Sequence, residues 1–353
     1  VNSRALTALA KGVPMTSVPA ASAVPSEEFP ITLGLVAGLL ADQHPDLARL
    51  PLRPAAVGWD NVVYRLGDGL CVRVPRRALA AELVRKELDV VPALAARLAD
   101  AGVGVALPVP VREGRPGRGY PWPWSVCRWT EGTPGLEVPA AERASAVPAL
   151  AAFLRALHTP APAGAPENPF RGGGLAGLDT AVGSRLAVLS QLGAPSRHGG
   201  PGAPCPARIG AGDVPALARL WDRLRGTPEL DGPRRWIHGD LHAGNVLFAP
   251  DGGLAGVIDF GDVCAGDPAA DLAAAWQLFR AQDRERFRSL LEHDGSGYGE
   301  ACWLRAAGWA LHFGLLSVAT EGNDPAFVRN GEETLAGLLA EFGLSRGAQT
   351  GSP

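Results

Sequence analysis

Lysine is almost absent from this sequence. Lys11 and Lys86 are the only two, so arginine carries nearly all the positive charge among 33 basic residues. Against 36 acidic residues the net charge is −3, which gives no bulk electrostatic pull toward nucleic acid. Cysteine is scarce as well: Cys71, Cys127, Cys205, Cys264 and Cys302 are odd in number, scattered and free of C-x-x-C spacing. A disulfide framework and a zinc ribbon are thereby excluded. No apolar run approaches 18 residues, so no transmembrane helix and no membrane partner is expected. Near the start Lys11 cuts the apolar stretch short of a signal-peptide core. Residues 1–26 read as a loose tail of a cytoplasmic protein, with Met15 an alternative start, and residues 347–353 as a second tail.

What is present is enough apolar residue, 46% of 353, to bury two cores, and enough glycine and proline (45 and 32) for long loops. Helical spacing runs from Glu27 to about Asp42 and is interrupted by Pro45, Pro51 and Pro54. Asn61–Leu66, the turn at Gly67 to Gly69 and Leu70–Val74 read as a β-hairpin in which Cys71 and Arg73 share the face opposite Leu70, Val72 and Val74. Residues 79–99 return to helix around Pro92, and Val103 to Val111 and Trp124 to Trp129 read as further strands. Beyond residue 131 helices dominate, near 140–158, 213–225, 268–293, 299–320 and 325–342. A Gly/Pro-rich stretch from His158 to Gly212 carries one apolar segment, Leu178 to Leu192. The expected fold class is α+β and bilobal: a small lobe with a mixed β-sheet over 27–131 and a mainly helical lobe over 132–346.

The stretch that carries chemistry is Trp236-Ile-His-Gly-Asp-Leu-His-Ala-Gly-Asn-Val-Leu-Phe248, followed by Leu254-Ala-Gly-Val-Ile-Asp-Phe-Gly261. Val246 to Phe248 and Leu254 to Ile258 predict two strands about the turn Asp251-Gly-Gly253. Position 252 lies midway between Asn245 and Asp259, so antiparallel pairing sets those two side by side, with Asp240 on a loop closed by Gly239 and Gly244. An amide oxygen beside a carboxylate suits Mg²⁺, and a carboxylate set slightly apart suits a base that orients a hydroxyl. The spacing His238-x-Asp240-x-x-x-x-Asn245, then Asp259-Phe-Gly261, matches the catalytic loop and metal-binding triplet of protein-kinase-like enzymes.

These segments, with Gly266-Asp-Pro-Ala-Ala-Asp-Leu-Ala273 and Gly58-Trp-Asp-Asn61, resemble the aminoglycoside phosphotransferases, small-molecule antibiotic kinases with a protein-kinase-like fold; the resemblance covers about residues 28–343. It implies Asp240 as catalytic base and Asn245 and Asp259 as Mg²⁺ ligands. It also implies ATP or GTP bound through Asn61, Arg73, Glu87 and the backbone from Arg128 to Thr130, with Cys127 flanking the pocket. Two positions depart from the pattern. Arg73 stands where the family has a lysine, with Glu87, or failing that Glu82, as its carboxylate partner; and Gly58-Trp-Asp-Asn61 replaces a G-x-G-x-x-G loop.

The expected partner is a small hydroxylated acceptor, with Asp262, His242 and Glu321 as candidate contacts. His242 is open between loop packing and the acceptor, and His238 reads as a structural loop residue. Asp271 is expected to brace the loop through backbone N–H groups, and Asp267 to cap the helix after Pro268. Trp303, Trp309, His312 and Phe313 read as core. Carboxylates at Asp262, Glu321, Asp324, Glu332 and Glu333 lean the acceptor toward a cationic aminoglycoside. The alternatives are a kinase of a macrolide, nucleoside or peptide antibiotic or of a metabolite, a non-catalytic kinase-fold binding protein, and a metallohydrolase built on His238 and His242.

Overall fold

The structure is a computed structural model that describes residues 27–191, 209–293 and 298–345. The expected tails at 1–26 and 347–353, Cys205 and the stretch 192–208 lie outside the described residues. The chain divides into two compact units. Among the described residues no helix is long and apolar enough to cross a membrane.

The first unit comprises residues 27–132 and Ala255–Val263. Its first helix, Leu33–Gln43, starts later than the apolar spacing predicts because Thr32 caps it, the hydroxyl accepting the Leu35 N–H at 3.2 Å. Five strands form one sheet in the order Leu52–Val57, Asn61–Leu66, Leu70–Pro75, Trp124–Arg128, Pro110–Gly114. Every one of these pairings is antiparallel, where a mixed sheet was expected; the parallel element is a lone bridge from Ala106 to Gly256. The edge strand Leu52–Val57 falls where Pro51 and Pro54 predict an interruption. An edge tolerates proline, and the register slips between Pro54 and Ala56. The expected strand from Val103 forms only from Pro110.

Register sets Val62 opposite Val74 and Tyr64 opposite Val72, and these side chains share a core with Leu39, Leu40, Tyr120 and Trp124. Alternation turns Cys71 and Arg73 to the other face, where the helix Ala78–Asp100 packs. Ala255–Val263, expected with the helical part of the chain, belongs to this unit. The Ala106 N–H donates to the Ala255 carbonyl at 3.1 Å and the Val257 N–H to the Ala106 carbonyl at 3.0 Å. The turn Phe260–Asp262 lies on the helix Ala78–Asp100. Glycine is required at 256, since a Cβ there would collide with Thr130 and Ala106.

The second unit comprises Thr133–Leu254 and the chain from Cys264 onward. Its long helices are Val147–Leu157, Asp179–Gln191, Val214–Leu224, Ala281–Glu292, Glu300–Ala319 and Pro325–Glu341. The single helix expected over 268–293 is divided into Ala269–Leu272, Ala274–Leu278 and Ala281–Glu292, and the break before the last of these comes where Phe279 is extended (φ −118°, ψ 143°). The helix Glu300–Ala319 packs against Asp179–Gln191, Val214–Leu224, Ala269–Leu272, Ala274–Leu278 and Pro325–Glu341 and is apolar on nearly all sides, which explains why Trp303, Trp309 and Phe313 are buried. Its buried polar side chains are Arg305 and His312. Arg305 pairs with Asp267, whose carboxylate also accepts the Ala269 N–H at 3.0 Å and so caps the next helix.

Candidate active site

In the first unit the chemistry gathers on the face of the strand Leu70–Pro75 that carries Arg73. One arm of its guanidinium donates to Glu87 at 2.7 Å and the other to Asp259 at 3.2 Å. Glu82 instead meets Arg85 on the helix surface. Arg73 and Glu87 are buried, with side-chain exposures of 9% and 4%, whereas Asp259 is 52% exposed. Burial pushes the Glu87 carboxyl up, and Arg73 opposes that shift. Asp259 holds a left-handed backbone conformation (φ 66°, ψ 67°), strained for a residue with a Cβ by about 1–2 kcal/mol. Backbone strain of that kind recurs at functional sites in proteins.

The same unit holds buried polar side-chain atoms without a hydrogen-bond partner, among them Asn61 Oδ1, Trp59 Nε1, Trp129 Nε1 and Thr130 Oγ1. The N–H groups of Arg128 and Trp129 are taken by the carbonyls of Val109 and Gly69, both at 2.9 Å, so neither is open to a ligand. Cys127 is buried beside Cys71 across the strand pair, and burial pushes its thiol up to about 12. It is a packing residue at neutral pH.

In the second unit the loop from His238 to Asn245 is held by a buried carboxylate. Asp271 accepts the N–H of His238 at 2.7 Å and that of Gly239 at 2.9 Å, and His158 lies 3.0 Å from it. Gly239 turns the loop at φ 85°. The next N–H, that of Asp240, donates to His238 Nδ1 at 3.2 Å, so His238 is a loop brace. His242 Nδ1 accepts the Gly244 N–H at 3.0 Å, and its Nε2 lies 3.2 Å from the Asn245 amide nitrogen and 3.6 Å from the Asp240 carboxylate. Asn245 commits its amide nitrogen to the Asp240 carbonyl at 3.0 Å and presents its oxygen as the acceptor. Burial alone would raise the Asp240 carboxyl. The Arg171 guanidinium at 2.9 Å, with His242 and His238, outweighs burial and holds it below the usual range. Among the described residues no three His, Cys, Asp or Glu side chains are grouped to hold a metal, so the hydrolase reading of His238 and His242 lacks its donor set.

A braced loop presenting an ionised aspartate, and a strand arginine shared by a helix glutamate and a strained aspartate, are the pieces a phosphoryl-transfer enzyme uses. The profile of the phosphotransferase enzyme family matches residues 51–309. This chain belongs to that family. No curated protein matches it in sequence. Among solved structures it is similar to wild-type aminoglycoside 2'-phosphotransferase-IIIa in its GDP complex, at 17% identity and a TM-score of 0.58, over 88% of this chain and 100% of that one. ADP-bound aminoglycoside phosphotransferase APH(2'')-Ib gives 15% identity and 0.51, over 86% and 97%. Macrolide 2'-phosphotransferase MphH from Brachybacterium faecium gives 20% and 0.51, over 86% and 97%. At such identities the likeness establishes the protein-kinase-like fold.

Within this phosphotransferase, Asn61, Arg73, Glu87, Arg128, Thr130, Asp259 and Asp262 fall in the first unit, and His242, Asp240, Asn245 and Glu321 in the second. Glu321 is exposed in the turn after the helix Glu300–Ala319, and Asp324 caps the next helix by accepting the Ala326 N–H at 2.7 Å. Sequence reasoning passed over Arg171 and Arg185. A signal existed for Arg185: on a helix its neighbours three and four residues away are Ala181, Val182, Val188 and Leu189, none able to pair with it.

Proposed function

We propose that this phosphotransferase moves the terminal phosphoryl group of ATP or GTP onto a hydroxyl of a small molecule, giving a phosphate monoester, a nucleoside diphosphate and a proton. The observation that carries the reading is the clamp of Asp271 on the backbone that presents Asp240. Asp240, ionised at neutral pH, orients the acceptor hydroxyl and takes its proton as the O–P bond forms. Arg73, kept in place by Glu87, lies along the phosphate tail, and Asn61 and the segment from Arg128 to Thr130 receive the rest of the nucleotide; their orphaned polar atoms fit that role. Asn245 and Asp259 are the Mg²⁺ ligands, an assignment supported by their sequence spacing, by the committed amide nitrogen of Asn245 and by the strain at Asp259. When bound, the ion neutralises phosphate charge.

The aminoglycosides and macrolides of the neighbours make resistance by phosphorylation the first setting to test. Nucleotide consumption is screened against aminoglycosides, macrolides, nucleoside antibiotics and hydroxylated metabolites, with products weighed by mass. A gain of one phosphate on an acceptor, lost with Asp240→Asn, supports the reading. Nucleotide hydrolysis with no phosphorylated acceptor across the panel argues against it.

A further inference from the structure

The turn Gly58-Trp-Asp-Asn61 has a single glycine, fewer than a G-x-G-x-x-G loop, and its shape is fixed both from within and from outside. Inside it the Gly58 N–H donates to the Asn61 carbonyl at 2.9 Å. Register sets Asn61 opposite Pro75, so the next two residues, Arg76 and Arg77, emerge beside the turn. The Arg76 N–H donates to the Asp60 carbonyl at 2.9 Å and its guanidinium to the Gly58 carbonyl at 3.1 Å. Arg77 stands at the N-cap of the helix Ala78–Asp100 without capping it through its side chain. The Ala78 N–H goes instead to the Glu28 carboxylate at 3.0 Å. The Arg77 guanidinium turns to Asp60, giving two N–H groups to one carboxylate oxygen at 3.1 and 2.5 Å. Arg76 and Arg77 are 9% and 4% exposed, so two buried cations serve one short turn. Burial raises the Asp60 carboxyl and Arg77 opposes that shift; the Asp259 charge adds to the rise, which puts the turn within electrostatic reach of the pair of Arg73 and Asp259. The bracing leaves Trp59 Nε1, Asn61 Oδ1, Arg76 Nε and Arg77 Nη1 buried without a partner. Unmade buried bonds cost stability, so this turn is not shaped for stability alone.

We infer that Arg76 and Arg77 are positioning residues for nucleotide binding: through Gly58 and Asp60 they hold the turn in its binding shape and tie it to the helix that carries Glu87. The inference rests on the reading of Asn61 as a nucleotide contact. Neither arginine has to touch the nucleotide. On the same helix Glu87 fixes Arg73, about 15 Å along the axis from Arg77. One helix thereby sets both the strand arginine and the turn. A turn already held in shape gives up less conformational freedom when its ligand arrives. Releasing it lowers affinity for the nucleotide.

Calorimetric titration of ATP and of GTP, with Mg²⁺, into the full chain tests this. Arg77→Gln and Asp60→Asn should each weaken binding of the tighter nucleotide by about tenfold. Arg77→Lys, which keeps the charge but not the fork, should recover part of the loss. The double variant, Asp60→Asn with Arg77→Gln, takes away both charges of the pair and so strands neither. It should fold, and bind no worse than either single variant, because the two residues act as one unit. Arg118→Gln removes an exposed ion pair with Asp42 in the same unit and should leave affinity unchanged. Urea denaturation gives the stability of every variant. Wild-type affinity in the single and double variants, whatever their stability, overturns the inference, and so does an equal loss in Arg118→Gln. A wild-type chain that binds neither nucleotide would sink the phosphotransferase reading and the inference together. Nucleotide binding that responds as expected, with no phosphoryl transfer to any acceptor, would sink the phosphotransferase reading alone.

Discussion

Arg73 and Asp259 are 186 residues apart in sequence and 3.2 Å apart in the structure, joined by one arm of a guanidinium whose other arm holds Glu87. The fork lets one side chain hold two carboxylates at once, which a lysine ammonium, with no rigid second arm, would not do in the same geometry.

Arg73→Lys should therefore keep the fold and weaken nucleotide binding by roughly tenfold, since the charge stays but one of the two bonds is lost. Arg73→Met should be worse in a different way. It leaves the Glu87 carboxylate buried and unpaired, at a cost of about 3–5 kcal/mol. Urea denaturation and nucleotide titration on both variants separate the two effects. A stable Arg73→Met protein would show that Glu87 does not need its partner.

Replacing Asp240 by asparagine should leave nucleotide binding nearly unchanged and lower turnover by ~10²–10⁴, the usual worth of a positioned base. Near-normal turnover in the pure variant would remove Asp240 from the mechanism.

Asp259→Gly makes a paired prediction. Glycine adopts the left-handed backbone of position 259 without strain, so thermal stability should not fall. Removing the carboxylate should abolish the Mg²⁺ dependence of nucleotide binding. Titrations with and without Mg²⁺ check this, and a variant that keeps the wild-type metal response would overturn the metal assignment.

His312 predicts a pH effect on stability. Its folded-state pKa lies well below the unfolded one, so between those values the unfolded chain binds the extra proton. Stability contributed by the neutral ring is full above about pH 6.5 and falls as pH drops, by up to about 1.4 kcal/mol per pH unit, until the folded pKa is reached. Denaturant curves from pH 7.5 to 5.5 should show a steeper loss for wild type than for His312→Gln. Parallel losses would mean that His312 does not titrate differently on folding.

The pair of Arg73 with Glu87 was legible because two periodicities are short-range: strand alternation turned Arg73 away from Val72 and Val74, and a helix followed at once. The loop from His238 to Asn245 was legible from its motif spacing, and the role of Asp271, 33 residues from His238, from the resemblance of the segment that carries it. Long-range pairing was hidden. Nothing near Ala255 announces that its carbonyl meets Ala106, and the glycine at 256 acquires its meaning only against Thr130. The antiparallel edge at Leu52–Val57 was masked by prolines that an edge tolerates. Arg171 and Arg185 were hidden because what makes them notable, their nearness to Asp240 and His312, lies across the fold and leaves no periodic trace.

The return of Ala255–Val263 to the first unit sets an order on biosynthesis. When residue 132 leaves the ribosome, that unit still lacks the strand that fills the notch beside Ala106 and the turn that rests on the helix Ala78–Asp100. It must wait while Thr133–Leu254 is translated, on the order of ten seconds at ordinary elongation speed. Through that interval Glu87 and Arg73 have each other but not Asp259. Until residue 263 emerges, the nascent first unit leaves the backbone of Ala106 and the part of the helix Ala78–Asp100 under the turn Phe260–Asp262 uncovered.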